Sequence, residues 1–244
     1  LGDTIRHIDW LVFLRTDKYY IKEFEEETNL KGYILLDISN SMRYSSGSVT
    51  KLDYAKTLAA ALSYLMIKQR DAAGLAAFDQ ALKYYIQPKS KISHLQSLLI
   101  TLEQLEPSLT TNISHALQQM AEKIQRRGLI ILISDLFDEP DQIIQALKHF
   151  RYRHHEVIVF HVLDPKEIHL DFKQDIEFID LETDQRLITQ PFHIRKEYAE
   201  LMRNQIEYYR LKCQQDSIDY QLFTTDTPYH QTLLYYLEKR RKLG

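Results

Sequence analysis

Short apolar runs alternate with amphipathic segments along most of the chain. Residues 33–36, 74–78 and 128–134 are almost entirely apolar, which is typical of strands buried on both faces of a sheet. Residues 51–69 instead carry apolar side chains at three- and four-residue spacing, which predicts a helix with one buried face. This alternation predicts a mostly parallel sheet with helices on both sides.

The remaining elements follow the same pattern. We expect further strands at 82–86, 156–163 and 218–223, and further helices at 91–104, 112–125, 140–150, 193–216 and 228–241. All six prolines fall at boundaries between these segments, as expected for a residue that interrupts helices and strands. The predicted fold class is therefore α/β, with a doubly wound, Rossmann-like sheet.

Two segments depart from the alternation. Residues 168–189 contain two short alternating runs on either side of a polar centre, which predicts a β-hairpin inserted at the edge of the sheet. Residues 1–30 are also atypical, and we expect this N-terminal segment to pack on the sheet. The remainder, residues 31–244, is assigned to one domain that carries the hairpin.

Glycine is scarce, with six among 244 residues, and no two lie closer than fifteen positions apart. A GxGxxG or GxxxxGK[ST] loop therefore does not occur in the given sequence. Because both loops need paired glycines to bring backbone N–H groups close to phosphate, Rossmann-type dinucleotide binding and Walker-type ATP hydrolysis are excluded within these residues.

The bulk properties indicate a protein without nucleic-acid or membrane partners. The formal net charge of −3 gives no long-range attraction to nucleic acid. No apolar run is long enough to span a membrane. The single cysteine cannot form an intramolecular disulfide and fits a reducing compartment, so we expect a cytoplasmic location.

Polar side chains with oxygen atoms follow the predicted strands at one edge of the sheet. Asp37, Ser39 and Ser41 come directly after the strand at 33–36, and Asp135 follows the strand at 128–134. Since open α/β sheets bind ligands beyond the carboxyl ends of their strands, we expect these groups to converge. Carboxylate and hydroxyl oxygens suit a hard divalent cation such as Mg²⁺ or Mn²⁺.

A further hydroxyl reaches the same edge from Thr110-Thr111-Asn112, which precedes the helix at 112–125. Each of these pieces alone has a simpler interpretation. A single D-x-S-x-S motif also suits a turn or a helix cap, and Thr111 alone suits the N-cap of the next helix. Only the combination favours a metal site.

In combination, these motifs resemble the metal-ion-dependent adhesion site (MIDAS) of von Willebrand factor A (vWA) domains. The chain resembles one bacterial branch more closely, the domain-of-unknown-function-58 family, and the resemblance covers nearly all of it. It rests on G-D-x-x-R-x-I-D-W at 2–10, K-E-F-E-E-E at 22–27, L-L-D-I-S-N-S-M at 35–42, K-L-D-Y-A-K at 51–56, D-A-A-G-L-A-A-F at 71–78, H-V-L-D-P at 161–165 and D-L-E-T at 180–183.

The resemblance implies a metal-dependent protein-binding module and not an enzyme. By this analogy Ser39 and Ser41 bind the metal directly, whereas Asp37, Thr111 and Asp135 bind it directly or through water. Mg²⁺ is the implied ion, with Mn²⁺ or Ca²⁺ as alternatives. Its open coordination position is expected to take an acidic side chain from a partner protein.

The resemblance also implies a partner, because genes of this branch commonly sit beside MoxR-type AAA+ ATPases. The expected role is an adaptor or co-chaperone for such an ATPase. The chain departs from the family in the loop at 108–112, which lacks the paired glycines usual before the threonine. Thr110 therefore stays an alternative to Thr111 as the ligand.

Two other functions fit parts of the sequence. A Mg²⁺-dependent phosphotransfer enzyme could use Asp37 as phosphoryl acceptor. Such enzymes carry the motif D-x-D-x-T/V after their first strand, and its second aspartate acts as acid and base. In this chain Ser39 stands at the position of that second aspartate. The third hypothesis is a structural vWA-like module whose metal site stays unoccupied.

Overall fold

The computed structural model describes residues 30–108, 112–170, 176–179, 186–189 and 191–243. The predicted N-terminal segment therefore lies outside the described residues, apart from Leu30. Thr110 and Thr111 lie outside them too.

Eight strands and seven helices make up the described part of the chain. The strands are β1 (Lys31–Asp37), β2 (Ala72–Phe78), β3 (Leu82–Lys89), β4 (Leu129–Ser134), β5 (Glu156–Leu163), β6 (Ile176–Ile179), β7 (Arg186–Thr189) and β8 (Asp219–Thr224). The helices are α1 (Lys51–Lys68), α2 (Ile92–Gln104), α3 (Ile113–Lys123), α4 (Pro140–Tyr152), α5 (Pro165–His169), α6 (Pro191–Gln215) and α7 (Tyr229–Leu243). A 3₁₀ turn at Asn40–Arg43 follows β1.

Six strands form one sheet in the order β3-β2-β1-β4-β5-β8. All neighbours pair in parallel except β3, which runs antiparallel to β2. The predicted doubly wound, mostly parallel α/β sheet is thus confirmed.

The strand order reverses between β1 and β4. The chain leaves β1 to form β2 on one side and returns to form β4 on the other. In the register of this pair Leu36 lies opposite Ile133, so Asp37 and Ser134 follow at the same level. This is the switch point at which open α/β sheets bind ligands.

Both faces of the central strands are buried, which explains their continuous apolar sequences. On β1, Ile34 and Leu36 pack into the core beneath α1, whereas Tyr33 and Leu35 pack into the core beneath α3 and α4. The two cores lie on opposite sides of the sheet because successive strand side chains point to opposite faces.

The structure adds two short elements that periodicity did not predict. One is the 3₁₀ turn at Asn40–Arg43. The other is α5, which begins at a capping box formed by Asp164 and Glu167. Elements of four and five residues are too short to show a helical repeat in sequence.

The predicted hairpin is present as a pair of short strands but not at the predicted position in the sheet. Strands β6 and β7 pair antiparallel, with Ile176 opposite Thr189. They form a two-stranded sheet of their own and do not extend the six-stranded sheet, in which β8 takes the position beside β5. The first two residues of the predicted insertion, 168 and 169, belong to α5.

Among the residues that the structure describes, no helix combines the length and the apolar character needed to cross a membrane.

Replacing Gly128 with alanine is expected to destabilise the fold. A Cβ atom at this position would lie 2.2 Å from the Lys31 carbonyl oxygen, so the start of β4 would have to move away from β1. We expect Gly128→Ala to lower the free energy of unfolding by about 2 kcal/mol or more, as measured by urea unfolding.

Gly47→Ala is the matched control, because a Cβ atom at Gly47 has no neighbour within 4 Å in the described structure. It should change the free energy of unfolding by no more than about 1 kcal/mol. Equal destabilisation by the two substitutions would contradict the close approach of Gly128 to Lys31.

Candidate metal site

Two carboxylates meet at the switch point of the sheet. Asp37 is the last residue of β1, and Asp135 directly follows the last residue of β4. Both side chains are fully buried. Burial of a carboxylate is costly unless other groups compensate its charge, so the surroundings of these two residues define the chemistry of the site.

Hydrogen bonds hold both oxygens of the Asp37 carboxylate. Its Oδ1 accepts from the Ser39 backbone N–H at 2.8 Å, and its Oδ2 accepts from the Ser134 hydroxyl at 2.6 Å. The second bond links the ends of β1 and β4 directly. The orientation of the carboxylate is therefore fixed by both strands of the switch point.

Ser39 and Ser41 present their hydroxyls to each other. Their Oγ atoms are 3.0 Å apart, and the Met42 N–H donates to the Ser39 carbonyl as the 3₁₀ turn begins. Ser39 is fully buried, whereas Ser41 is partly exposed. The D-x-S-x-S spacing thus brings one carboxylate and two hydroxyls into a single loop, as the sequence predicted.

The site has more negative charge than its hydrogen bonds compensate. Burial raises the pKa of the Asp37 carboxyl to about 7, and repulsion from Asp135 adds to this shift. The hydrogen bonds from Ser134 and Ser39 act in the opposite direction. A cation beside Asp37 would offset this repulsion.

Lys51 is a site residue that the sequence reasoning missed. Its Nζ lies 2.8 Å from Asp135 Oδ2 and 2.6 Å from Glu167 Oε1, and the side chain is fully buried. Burial lowers the pKa of the ammonium group, but the two carboxylates outweigh this effect and raise it above the ordinary value. A lysine in the first turn of a helix is normally solvated, so the local pattern gives no sign that Lys51 belongs to the site, although it is the first residue of the K-L-D-Y-A-K motif.

The loop after Ser41 is tied to α5 through Asp164. Asp164 Oδ1 caps α5 by accepting from the Lys166 N–H at 2.8 Å, and its Oδ2 accepts from the Ser46 N–H at 2.8 Å. The Glu167 Oε2 in turn accepts from the Asp164 N–H at 2.8 Å. The D-P pair of the H-V-L-D-P motif therefore marks a helix start that contacts the site loop.

The third predicted loop is described only at its two ends. The Ser108 N–H donates to the Ile38 carbonyl at 2.8 Å, and the Ile113 N–H donates to Asp138 Oδ2 at 2.8 Å. The N-cap of α3 is Asn112, whose Oδ1 accepts from the His115 N–H, so the interpretation of Thr111 as that N-cap is wrong. Thr110 and Thr111 lie outside the described residues, and either as a metal ligand stays a prediction.

The donor chemistry of the site fits a hard divalent cation. Two carboxylates and two hydroxyls supply the oxygen ligands that Mg²⁺ prefers. Within the described residues, no group of three or more histidine, cysteine, aspartate or glutamate side chains could hold a metal ion. A metal at this edge therefore depends on the serine hydroxyls as well as on Asp37 and Asp135.

Comparison with known sequences gives one family and several uncharacterised relatives. A family model described as "Protein of unknown function DUF58" matches residues 1–208. An uncharacterised protein of Mycobacterium tuberculosis and one of Mycobacterium bovis are each 25% identical over 185 residues, which is 75% of this chain and 58% of each relative. The chain thus spans less than two thirds of the length of these relatives.

Comparison with solved structures gives the same fold. The conserved hypothetical protein BatB from Bacteroides thetaiotaomicron is similar with a TM-score of 0.60 and 18% identity, covering 87% of this chain and 99% of that one. The Rpn10 VWA domain has a TM-score of 0.48 and 11% identity, covering 84% and 93%. An aerotolerance-related membrane protein from Bacteroides fragilis has a TM-score of 0.51 and 21% identity, covering 77% and 98%. The likenesses to the two Bacteroides proteins show a shared fold.

Substitution of Lys51 is expected to be strongly destabilising. Lys51→Met would leave Asp135 and Glu167 beside each other without their shared cation, and removing one partner of a buried ion pair costs about 3–5 kcal/mol. Chemical unfolding of the variant should show a loss of this size.

Lys68→Met serves as the control because Lys68 is exposed at the other end of α1. Its effect should stay within about 0.5 kcal/mol. Similar stabilities of the two variants would contradict the buried ion pairs of Lys51.

Proposed function

The chain belongs to the DUF58 family, and we propose that it is a metal-ion-dependent protein-binding module of the vWA type. The observation that carries this proposal is the convergence of Asp37, Ser39 and Ser41 in one loop at the switch point, next to Asp135. The mostly parallel sheet flanked by helices suits such a module.

Mg²⁺ is the proposed ion, with Mn²⁺ or Ca²⁺ as alternatives. Asp37, Ser39, Ser41 and Asp135 would hold it, together with Thr111 or Thr110. When bound, the ion supplies a positive charge with an open coordination position that can accept a carboxylate from a partner protein. The residues of this chain orient the site, because the bonds from Ser134 and from the Ser39 N–H hold the Asp37 carboxylate in place.

The surroundings of Asp37 favour binding over phosphotransfer. Both carboxylate oxygens already accept hydrogen bonds, and the position two residues later is Ser39. A serine hydroxyl does not serve as acid and base near neutral pH. We therefore propose a binding module and not an enzyme.

A MoxR-type AAA+ ATPase is the proposed partner, with this chain as its adaptor or co-chaperone. Support comes from the family resemblance, and the acidic side chain that completes the metal site would come from such a partner. A cytoplasmic location stays a prediction.

Titration with Mg²⁺ tests the metal site. Metal-free protein should bind Mg²⁺ at millimolar concentration or below by calorimetry, and its melting temperature should rise with Mg²⁺ concentration because the ion binds only the folded state. Ser39→Ala should weaken binding by about tenfold or more, by analogy with losses of 10–100-fold for residues around metal sites.

Ser48→Ala is the matched control, since Ser48 is an exposed serine of the same loop region. It should bind Mg²⁺ like the wild type. Absence of heat and of a melting shift at millimolar Mg²⁺ would refute the metal site.

Affinity purification tests the partner. Tagged wild-type protein should recover a MoxR-type ATPase in Mg²⁺-containing buffer, and both chelation with EDTA and the Asp37→Ala substitution should abolish recovery, because the ion mediates the contact. The ATPase is identified by mass spectrometry of the eluate. Equal recovery by wild-type and Asp37→Ala bait would show that the metal site does not govern the contact.

A further inference from the structure

The ammonium group of Lys51 lies beside the candidate metal site, where it is a positive charge that the protein itself supplies. It lies 2.8 Å from Asp135 Oδ2, on the carboxylate that follows β4. Because Lys51 is the first residue of α1 and is fully buried, its position is set by the packing of that helix on the sheet. A positive charge is therefore built into the protein beside one of the proposed metal ligands.

The ammonium group is enclosed on its other sides. Glu167 Oε1 lies 2.6 Å away, and the Phe137 ring centroid lies 4.7 Å from Nζ, within the range of a cation–π contact. The ammonium group is thus in contact with two carboxylates and one aromatic face. Lys51 is shared between a proposed metal ligand, Asp135, and a carboxylate of α5, Glu167.

We propose that Lys51 competes with the divalent ion for Asp135, and that Glu167 sets the strength of this competition by holding the ammonium group. This inference rests on the proposed metal site. Asp135 offers less negative charge to a metal while it binds the ammonium group. Lys51 is thus a positioning residue that acts through Asp135 and lowers the affinity of the site for the metal. Glu167 raises this affinity because it binds the ammonium group and so weakens its contact with Asp135.

The position of Glu167 depends in turn on α5. Its Oε2 accepts from the Asp164 N–H, and Asp164 also accepts from the Ser46 N–H in the loop after Ser41. A displacement of α5 would therefore change how Lys51 is shared between Asp135 and Glu167. Through this network α5 can adjust the affinity of the site from outside it.

Calorimetric titration with Mg²⁺ of the full chain and two charge-removing variants tests the inference. Lys51→Met should bind Mg²⁺ about tenfold more tightly or better, because it releases Asp135 and removes a nearby positive charge. Glu167→Gln should bind more weakly, by about threefold or more, because it leaves the ammonium group to Asp135. A purely structural role of these residues would weaken binding in both variants.

Two control variants remove the same charges elsewhere. Lys68→Met lies on the exposed end of α1, and Glu122→Gln lies on the exposed side of α3. Both should bind Mg²⁺ like the wild type. Circular dichroism of each titrated sample establishes that it is folded, and Lys51→Gln, which removes the charge but keeps a hydrogen-bond donor for the two carboxylates, replaces Lys51→Met if that variant does not fold.

The outcomes separate this inference from the proposed function. If the wild type binds Mg²⁺ but folded Lys51→Met binds no more tightly, or Glu167→Gln binds no more weakly, the competition is refuted and the metal site stands. If Lys51→Met binds and the wild type does not, the competition is supported and metal dependence of the native chain is refuted. If neither the wild type nor any folded variant binds, both proposals are refuted.

Discussion

The parallel pairing of β1 with β4 is the constraint on which the rest of the site depends. These strands meet at the centre of the sheet, where the chain switches from one side to the other. Their register places Asp37 and Ser134 at the same level, and the hydrogen bond between these side chains joins the two strand ends. Residues nearly a hundred positions apart in sequence therefore share one environment.

Buried charge is the second determinant of this region. Asp37, Asp135 and Lys51 are all fully buried, and the two acids repel each other. A buried ion pair adds little net stability relative to apolar packing, but loss of one partner is expensive. Lys51 is therefore held beside Asp135 and Glu167 by the cost of leaving these carboxylates unpaired. As a result its ammonium group stays close to the proposed metal ligand Asp135.

The sequence predicts the fold and part of the candidate site. Helix and strand periodicity located α1, β4 and the other long elements to within a few residues, because burial of one or both faces imposes a regular pattern. The D-x-S-x-S motif can also be recognised in the sequence, since Asp37, Ser39 and Ser41 all lie within five consecutive residues. Asp135 can be recognised because it directly follows the most apolar strand.

Long-range polar contacts could not be predicted in this way. Lys51 and Glu167 are 116 positions apart, and each alone is an ordinary charged residue near the start of a helix. Their pairing with Asp135 depends on how α1 and α5 pack against the sheet, which no local pattern encodes. The N-cap of α3 is a second example. Thr111 and Asn112 both suit an N-cap by residue type, and the structure assigns the cap to Asn112.

The burial of Cys213 has a practical consequence. It is the only cysteine of the chain, its side chain is fully buried where α6 packs into the core shared with α3 and α4, and burial raises its pKa to about 12. A native thiol in that state reacts poorly with alkylating reagents. A cysteine introduced on an exposed residue of the site loop, such as Ser48, would then be the one position that takes up a fluorophore or spin label. The protein can thus carry a single site-specific label without prior removal of its own thiol.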